Sequence, residues 1–266
     1  MPHVHANGID INIDIHGPPD APVVMFSNSL LTDYRMWDAQ VPALADRYRI
    51  LRYDTRGHGR TQATPPPYSM PMLTSDAVAL LDALGIERVH FVGLSMGGMI
   101  GQLFASAHPD RVMSLSLCDT ACRMPPASVW DERIVLARTR GTSAFITPIT
   151  TRWLTQQYRD DHPEVVETLG AMIANTSVDG MVGCCAAIST MDHLALLSRI
   201  GAPTLVVVGE HDIGTPVSAA RTLQKEIRDS ELAVIQNAAH LTNIEQAGVF
   251  NKIITRFVYR ASEKKI

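Results

Sequence analysis

Ser95, Asp212 and His240 are the residues of this chain whose types and order suit acyl transfer. A serine hydroxyl is a weak nucleophile at neutral pH. It needs a base to take its proton, and the base needs a carboxylate to hold it in one tautomer. Ser95 stands in Gly93-Leu94-Ser95-Met96-Gly97, after the apolar run Val89-His90-Phe91-Val92 and before a helix-like run at 99–107. Strand, Gly-x-Ser-x-Gly, helix is the context of a nucleophile elbow. Side chains two positions either side of the serine would collide in so tight a turn, so the bend requires glycine at 93 and 97. The serine then sits at a helix head, where free N–H groups and partial positive charge favour a developing oxyanion.

The chain order that goes with such an elbow is serine, acid, histidine. Asp212 lies in Gly209-Glu210-His211-Asp212, just past the apolar run 205–208. Glu210 is nearer the strand and reads as structural. Asp119, after the run ending at Cys118, is the rival acid, because a carboxylate there can also reach the histidine. His240 follows the last strand signal in Asn237-Ala238-Ala239-His240, where small neighbours leave the ring room. His58, in Arg56-Gly57-His58-Gly59, reads as the brace of a turn. Two backbone N–H groups must receive the oxyanion. One is Met96, directly after the nucleophile; the other comes from Ser27-Asn28-Ser29-Leu30-Leu31, where Leu30 is the choice.

The elements that position these residues follow from periodicity. Strand signals fall at 9–15, 23–26, 48–53, 89–92, 112–117, 203–209 and 232–235. Helical spacing marks 36–44, 73–84, 99–107, 223–227 and 244–258, and Thr242 and Glu245 have capping-box spacing at the start of the closing helix. Between about 123 and 198 the chain reads as helices with loops. The pattern predicts an α/β fold: a mostly parallel sheet with helices on both faces, interrupted by one helical insertion. In such sheets the chemistry collects at the carboxyl ends of the strands, and an insertion leaving that edge could fold over them as a lid. The expected division is a core of 1–122 and 199–266 with a cap of 123–198.

Size and composition set the remaining bounds. The 266 residues, 46% of them hydrophobic, suit one large domain with a substantial core. A formal net charge of −4 disfavours a nucleic-acid partner. No apolar run is long enough to span a bilayer, and the first residues lack the apolar segment of a signal peptide. The expected compartment is the cytoplasm, with Cys118, Cys122, Cys184 and Cys185 as reduced thiols. No cysteine–histidine spacing suits zinc, and neither a metal nor a cofactor is expected.

Longer strings narrow the reading. Ser27-Asn28-Ser29-Leu30, Met36-Trp37-Asp38, the run from Leu51 to Gly59, Leu80 to Ile86, Gly93 to Met99, Gly183-Cys184-Cys185-Ala186-Ala187 and Gly209-Glu210-His211-Asp212 occur together in one family. On them the chain resembles the 3-oxoadipate enol-lactonases of the α/β-hydrolase fold over nearly its whole length. Asn28-Ser29 replaces the His-Gly pair usual in that superfamily, as it does in this family. Leu31 stands where the family often has glycine. The resemblance implies an α/β-hydrolase fold with a helical cap inserted after the sixth strand. It also implies hydrolysis of a five-membered enol-lactone with an acetate arm, giving 3-oxoadipate in the β-ketoadipate pathway of aromatic-compound breakdown.

The partner is then a small carboxylate-bearing lactone, and arginine is the natural reader of its carboxylate. Arg133 and Trp153 match positions that recur in the family's cap and are implied to bind substrate. Arg138, Arg140, Arg152 and Arg159 read as solvated and Trp130 as packing. The other readings are a different serine hydrolase of this fold (carboxylesterase, carbon–carbon bond hydrolase or perhydrolase) and a ligand sensor that keeps the triad.

Overall fold

The computed structural model describes residues 2–263. β1 (His3–Ala6) and β2 (Ile9–His16) form an antiparallel hairpin. Its turn residues, Asn7 and Gly8, both have positive φ (48° and 74°), the turn that an Asn-Gly pair favours. Six further strands complete the sheet: β3 (Val23–Ser27), β4 (Arg49–Tyr53), β5 (Val89–Leu94), β6 (Val112–Cys118), β7 (Thr204–Gly209) and β8 (Ser230–Ile235). The order is β1-β2-β4-β3-β5-β6-β7-β8. From β4 to β8 every neighbour is parallel, while β2 runs antiparallel to β4. β3, β5 and β7 are buried at every residue, as central parallel strands covered on both faces must be.

The register brings the functional loops together. Ser27 pairs with Gly93, Leu94 with Cys118, Cys118 with Val207, and Gly209 with Ile235. The carboxyl ends of five parallel strands therefore line up along one edge. The loops leaving them carry Leu30, Ser95, Asp119, Asp212 and His240 in turn.

Helices connect the strands: α1 (Val41–Leu44), α2 (Met70–Ala83) and α3 (Met96–Ala107) in the first half. Between β6 and β7 the chain makes α4 (Ala127–Arg140), α5 (Ile146–Trp153), α6 (Gln156–Asp161), α7 (Pro163–Asn175) and α8 (Val178–Ser189) with no strand among them. α9 (Val217–Glu226), α10 (Thr242–Glu245) and α11 (Ala247–Glu263) complete the set. The helical stretch after the sixth strand is thus present, and it is closed at its neck. Arg123 bridges Asp192, with Nε 2.7 Å from the carboxylate, and His193 N–H donates to Cys122 O at 2.9 Å.

Three expectations change. β1 gave no sequence signal because only Ala6 of its four residues is buried, which leaves no apolar alternation to read. The helix expected at 36–44 is broken into a 3₁₀ turn at Tyr34–Trp37 and the short α1. Pro42, near the start of α1, has no N–H to give a carbonyl one turn back, and Asn243 Nδ2 and Asn251 Nδ2 hold the pieces by donating to Met36 O (2.7 Å) and Ala39 O (2.8 Å). The capping box at Thr242 and Glu245 does not form, since neither side chain caps α10. Thr242 Oγ1 donates to Asp119, and the Glu245 carboxylate faces Thr155 and Ala239 instead.

Candidate active site

Ser95 links β5 to α3 with φ 55° and ψ −115°, a conformation costing about 1–3 kcal/mol for a residue with a side chain. The surroundings enforce it. A Cβ on Gly93 would lie 2.2 Å from Gly97 O, and one on Gly97 would lie 2.0 Å from Ser27 O. The bend is pinned from the neighbouring strand: Ser95 N–H donates to Cys118 O at 2.9 Å, and Thr120 Oγ1 donates to Ser95 O at 2.7 Å. Met96 opens α3, so its N–H has no carbonyl one helical turn behind it. Across the cleft, the loop after β3 is held by Asn28, whose Nδ2 donates to Tyr53 O at 2.8 Å and whose Oδ1 accepts from Trp37 Nε1 at 2.9 Å. Ser29 N–H is taken by Met36 Sδ at 3.3 Å. Leu31 has φ 68°, the conformation for which glycine is the usual residue. The next N–H toward the cavity is that of Leu30, which lines it.

Asp212 and His240 meet at the ends of β7 and β8. His240 Nδ1 is 2.8 Å from Asp212 Oδ2. The carboxylate is buried and fully engaged. Oδ1 accepts the N–H groups of Gly214 (2.7 Å) and Thr215 (3.0 Å), and Oδ2 also accepts from Thr215 Oγ1 at 2.7 Å. Burial alone would raise its pKa. The imidazole and these hydrogen bonds outweigh burial and hold Asp212 below the ordinary carboxylate value. Burial pulls the other way on His240, yet the Asp212 charge and hydrogen bond, with Asp119 adding to them, leave the imidazole above 6.5.

Asp119 does not touch the imidazole. It accepts Gly209 N–H at 2.8 Å and the Thr242 hydroxyl. Burial, with the Asp212 charge adding to it, drives its carboxyl well above the ordinary range. Glu210 is exposed, and its side chain accepts Asn237 N–H at 3.3 Å. His58 is buried with Nδ1 3.1 Å from Arg56 O, and burial lowers its pKa to about 4. It lies outside the cavity lining.

Ser95 and His240 line one cavity with Leu30, Met99, Trp130, Arg133, Ile149, Arg152, Trp153 and Thr215. It has about 540 Å³ of empty space, part of it open to solvent. No hydrogen bond joins the Ser95 hydroxyl to the imidazole among the described residues; such contacts are often long before substrate arrives and tighten in the Michaelis complex. The wall opposite the serine comes from α4 and α5. Arg133 lies over the Trp130 ring, its Cζ 4.5 Å from the ring centroid, and burial, with the Arg152 cation adding to it, draws the guanidinium below its ordinary pKa. Among the described residues neither Arg133 nor Arg152 is paired with a carboxylate. Arg138 and Arg140 are exposed on α4, and Arg159 caps α5 by donating to Leu154 O at 2.6 Å and Thr151 O at 3.0 Å.

Two cavity residues were missed by sequence reasoning. Trp130 lines the cavity as the platform for Arg133, as well as packing through Nε1 to Met124 O at 2.8 Å. Arg152 is exposed, as expected of a solvated arginine, and it also lines the cavity. Its position directly before Trp153 at the end of α5 was the only available signal.

Comparisons with known proteins agree with this fold. The family model for the alpha/beta hydrolase fold matches residues 22–247. The chain is 36% identical to 3-oxoadipate enol-lactonase 2 of Acinetobacter baylyi over 96% of this chain and 95% of that protein. The crystal structure of the enol-lactonase from Burkholderia xenovorans superposes with a TM-score of 0.95 at 37% identity, covering 97% of this chain and all of that one. A putative carbamate hydrolase from Agrobacterium fabrum is 30% identical over 95% of this chain and 100% of that protein. With its sheet, elbow and cavity in place, the chain belongs to the α/β-hydrolase fold family and, within it, to the 3-oxoadipate enol-lactonases, as an enzyme of the carboxylic ester hydrolase type.

Proposed function

We propose that the protein hydrolyses 3-oxoadipate enol-lactone to 3-oxoadipate in aromatic-compound breakdown, with Ser95 as nucleophile, His240 as base and Asp212 as its orienting acid. Ser95 Oγ attacks the lactone carbonyl as His240 Nε2 takes its proton. The oxyanion turns toward the N–H groups of Met96 and Leu30, each worth about 3 kcal/mol in the transition state. The ring C–O bond breaks to expel an enolate, a better leaving group than an alkoxide. It stays tethered in the acyl-enzyme and takes up a proton to become the ketone. Water activated by His240 then releases the diacid. The substrate's free carboxylate is read by Arg133, with Trp153 shaping the wall.

In this reading residues 123–198 form a cap that supplies recognition, and 1–122 with 199–266 form the core that supplies chemistry. The four buried free thiols suit a reducing cytoplasm.

One observation carries the substrate assignment. The cavity that holds Ser95 and His240 also holds two guanidinium groups with no carboxylate partner among the described residues. Arg133 is half-buried and Arg152 exposed, and an anionic substrate in the cavity would supply the carboxylate partner that each lacks. A neutral ester would leave both to solvent. The test follows enol-lactone loss by ultraviolet absorbance beside cleavage of a neutral aryl ester. The expected result is a kcat/KM about 10–100-fold higher for the charged lactone. A preference for the neutral ester would overturn the assignment.

A further inference from the structure

The carboxylate of Glu245 ties two parts of the molecule that the reaction needs together. One oxygen accepts Thr155 N–H at 3.0 Å and also the Thr155 hydroxyl. The other accepts Ala239 N–H at 2.8 Å, one residue before His240. Thr155 lies just past α5, the helix that brings Arg152 and Trp153 to the cavity. Beside this bridge, Trp153 O accepts both His240 N–H (3.0 Å) and Leu241 N–H (3.1 Å). All three consecutive backbone donors around the histidine are therefore spent on the α5 end or on the carboxylate bonded to it. None is held by a strand of the sheet. Glu245 is buried, and no cation lies in ion-pair contact with it among the described residues. Its charge is met by hydrogen-bond donors alone, two of them from Thr155.

We propose that Glu245 is a positioning residue that makes the seating of the helical insertion and the alignment of the His240 imidazole a single event. The proposal rests on the reading of His240 as the base. Asp212 fixes the ring through Nδ1, but the ring's height over Ser95 follows its backbone, and that backbone hangs from Trp153 and Glu245. A shift of α5 that moved the recognition wall would carry the histidine with it. Displacements of about 1 Å at a catalytic group cost on the order of 100-fold in rate.

The test uses the full-length enzyme with Glu245→Gln, Thr155→Val, their combination, and His240→Ala. Glutamine keeps an oxygen for Thr155 but turns an N–H₂ toward Ala239 N–H. Valine removes the hydroxyl and leaves the Ala239 side intact. Both single variants are expected to lower kcat on the lactone and on a neutral aryl ester by about 10–100-fold. The acid limb of the pH–rate profile should move to lower pH, as the imidazole loses its fixed place beside Asp212. The double variant should be no slower than the worse single one, because both changes break one bridge. Folded Glu245→Gln with unchanged kcat and pH profile overturns the proposal, as does a double variant whose losses multiply. If Glu245→Gln does not fold, Thr155→Val decides by the same measurements, since residue 155 touches neither Ser95 nor the imidazole. A dead His240→Ala beside an unimpaired Glu245→Gln sinks the bridge alone. A His240→Ala variant that keeps its rate sinks the reading beneath it.

Discussion

The Asp212 carboxylate accepts four hydrogen bonds inside the protein, and Asp119, one strand away, accepts two. That difference divides the roles of two buried acids. The first is held below the ordinary carboxylate value and bonds the imidazole; the second is pushed well above it and bonds only Gly209 and Thr242. Asp212→Asn should lower kcat by about 10⁴-fold, since an amide cannot hold the imidazolium or fix the same tautomer. Asp119→Asn should stay within about tenfold of the parent. Its amide oxygen can still accept Gly209 N–H and its N–H₂ can donate to Thr242 Oγ1, so both contacts survive with one of them reversed. Steady-state rates on both variants decide the matter, and the reverse order would exchange the two roles. The pH dependence carries the same logic. A base works only when neutral, so kcat/KM should rise with pH through the His240 value, which lies above 6.5. With Asp212→Asn the chief influence raising that value is gone, so the limb should move to lower pH. A limb unmoved by Asp212→Asn would show that the titrating group is not this histidine.

At the scale of elements, the elbow leaves no room for change at its glycines. A methyl group at 97 would sit 2.0 Å from Ser27 O, a backbone atom in a buried strand that cannot withdraw. Gly97→Ala should destabilise the fold by more than about 2 kcal/mol, read as a lowered denaturant midpoint, and should cut activity with it. An unchanged midpoint would mean that the bend is looser than its contacts imply. This element was legible in the sequence because strand, glycine spacing and helix are all local. The sheet strands from Val23 to Ile235 were legible for the same reason: each is a short apolar run between turn residues. Elsewhere local pattern gave way to distant partners. Residues 36–44 have helical spacing, but Pro42 interrupts the ladder, and Asn243 and Asn251 brace the two pieces from more than 200 positions away. Thr242 and Glu245 have capping-box spacing, yet Asp119, Thr155 and Ala239 offer those side chains buried partners. Asp119 and Thr155 lie outside any local window of sequence around Thr242 and Glu245.

Across the whole molecule, the sheet edge holds Ser95, Asp212 and His240, while α4 and α5 hold Arg133, Arg152 and Trp153. In the proposed reading, chemistry and recognition sit on separate stretches of chain that meet at one cavity. Arg133→Ala should therefore raise KM for the carboxylate-bearing lactone by about 10–100-fold and leave KM for a neutral aryl ester within about threefold. Equal changes for the two would remove Arg133 from the site. The order of serine, acid and histidine was readable from strand ends alone, because the fold brings strand termini to one edge. The charged wall was only half readable: Arg133 came from resemblance, whereas Arg152 needed the course of α5 in space. The claim beneath all of this is that acyl transfer runs through the Ser95 hydroxyl. Its most direct measurement is turnover of enol-lactone by Ser95→Ala, followed by ultraviolet absorbance, with the thermal midpoint taken alongside. The account predicts a kcat lower by about 10⁴–10⁶-fold at an essentially unchanged midpoint. Turnover near the parent rate in that folded variant would contradict it.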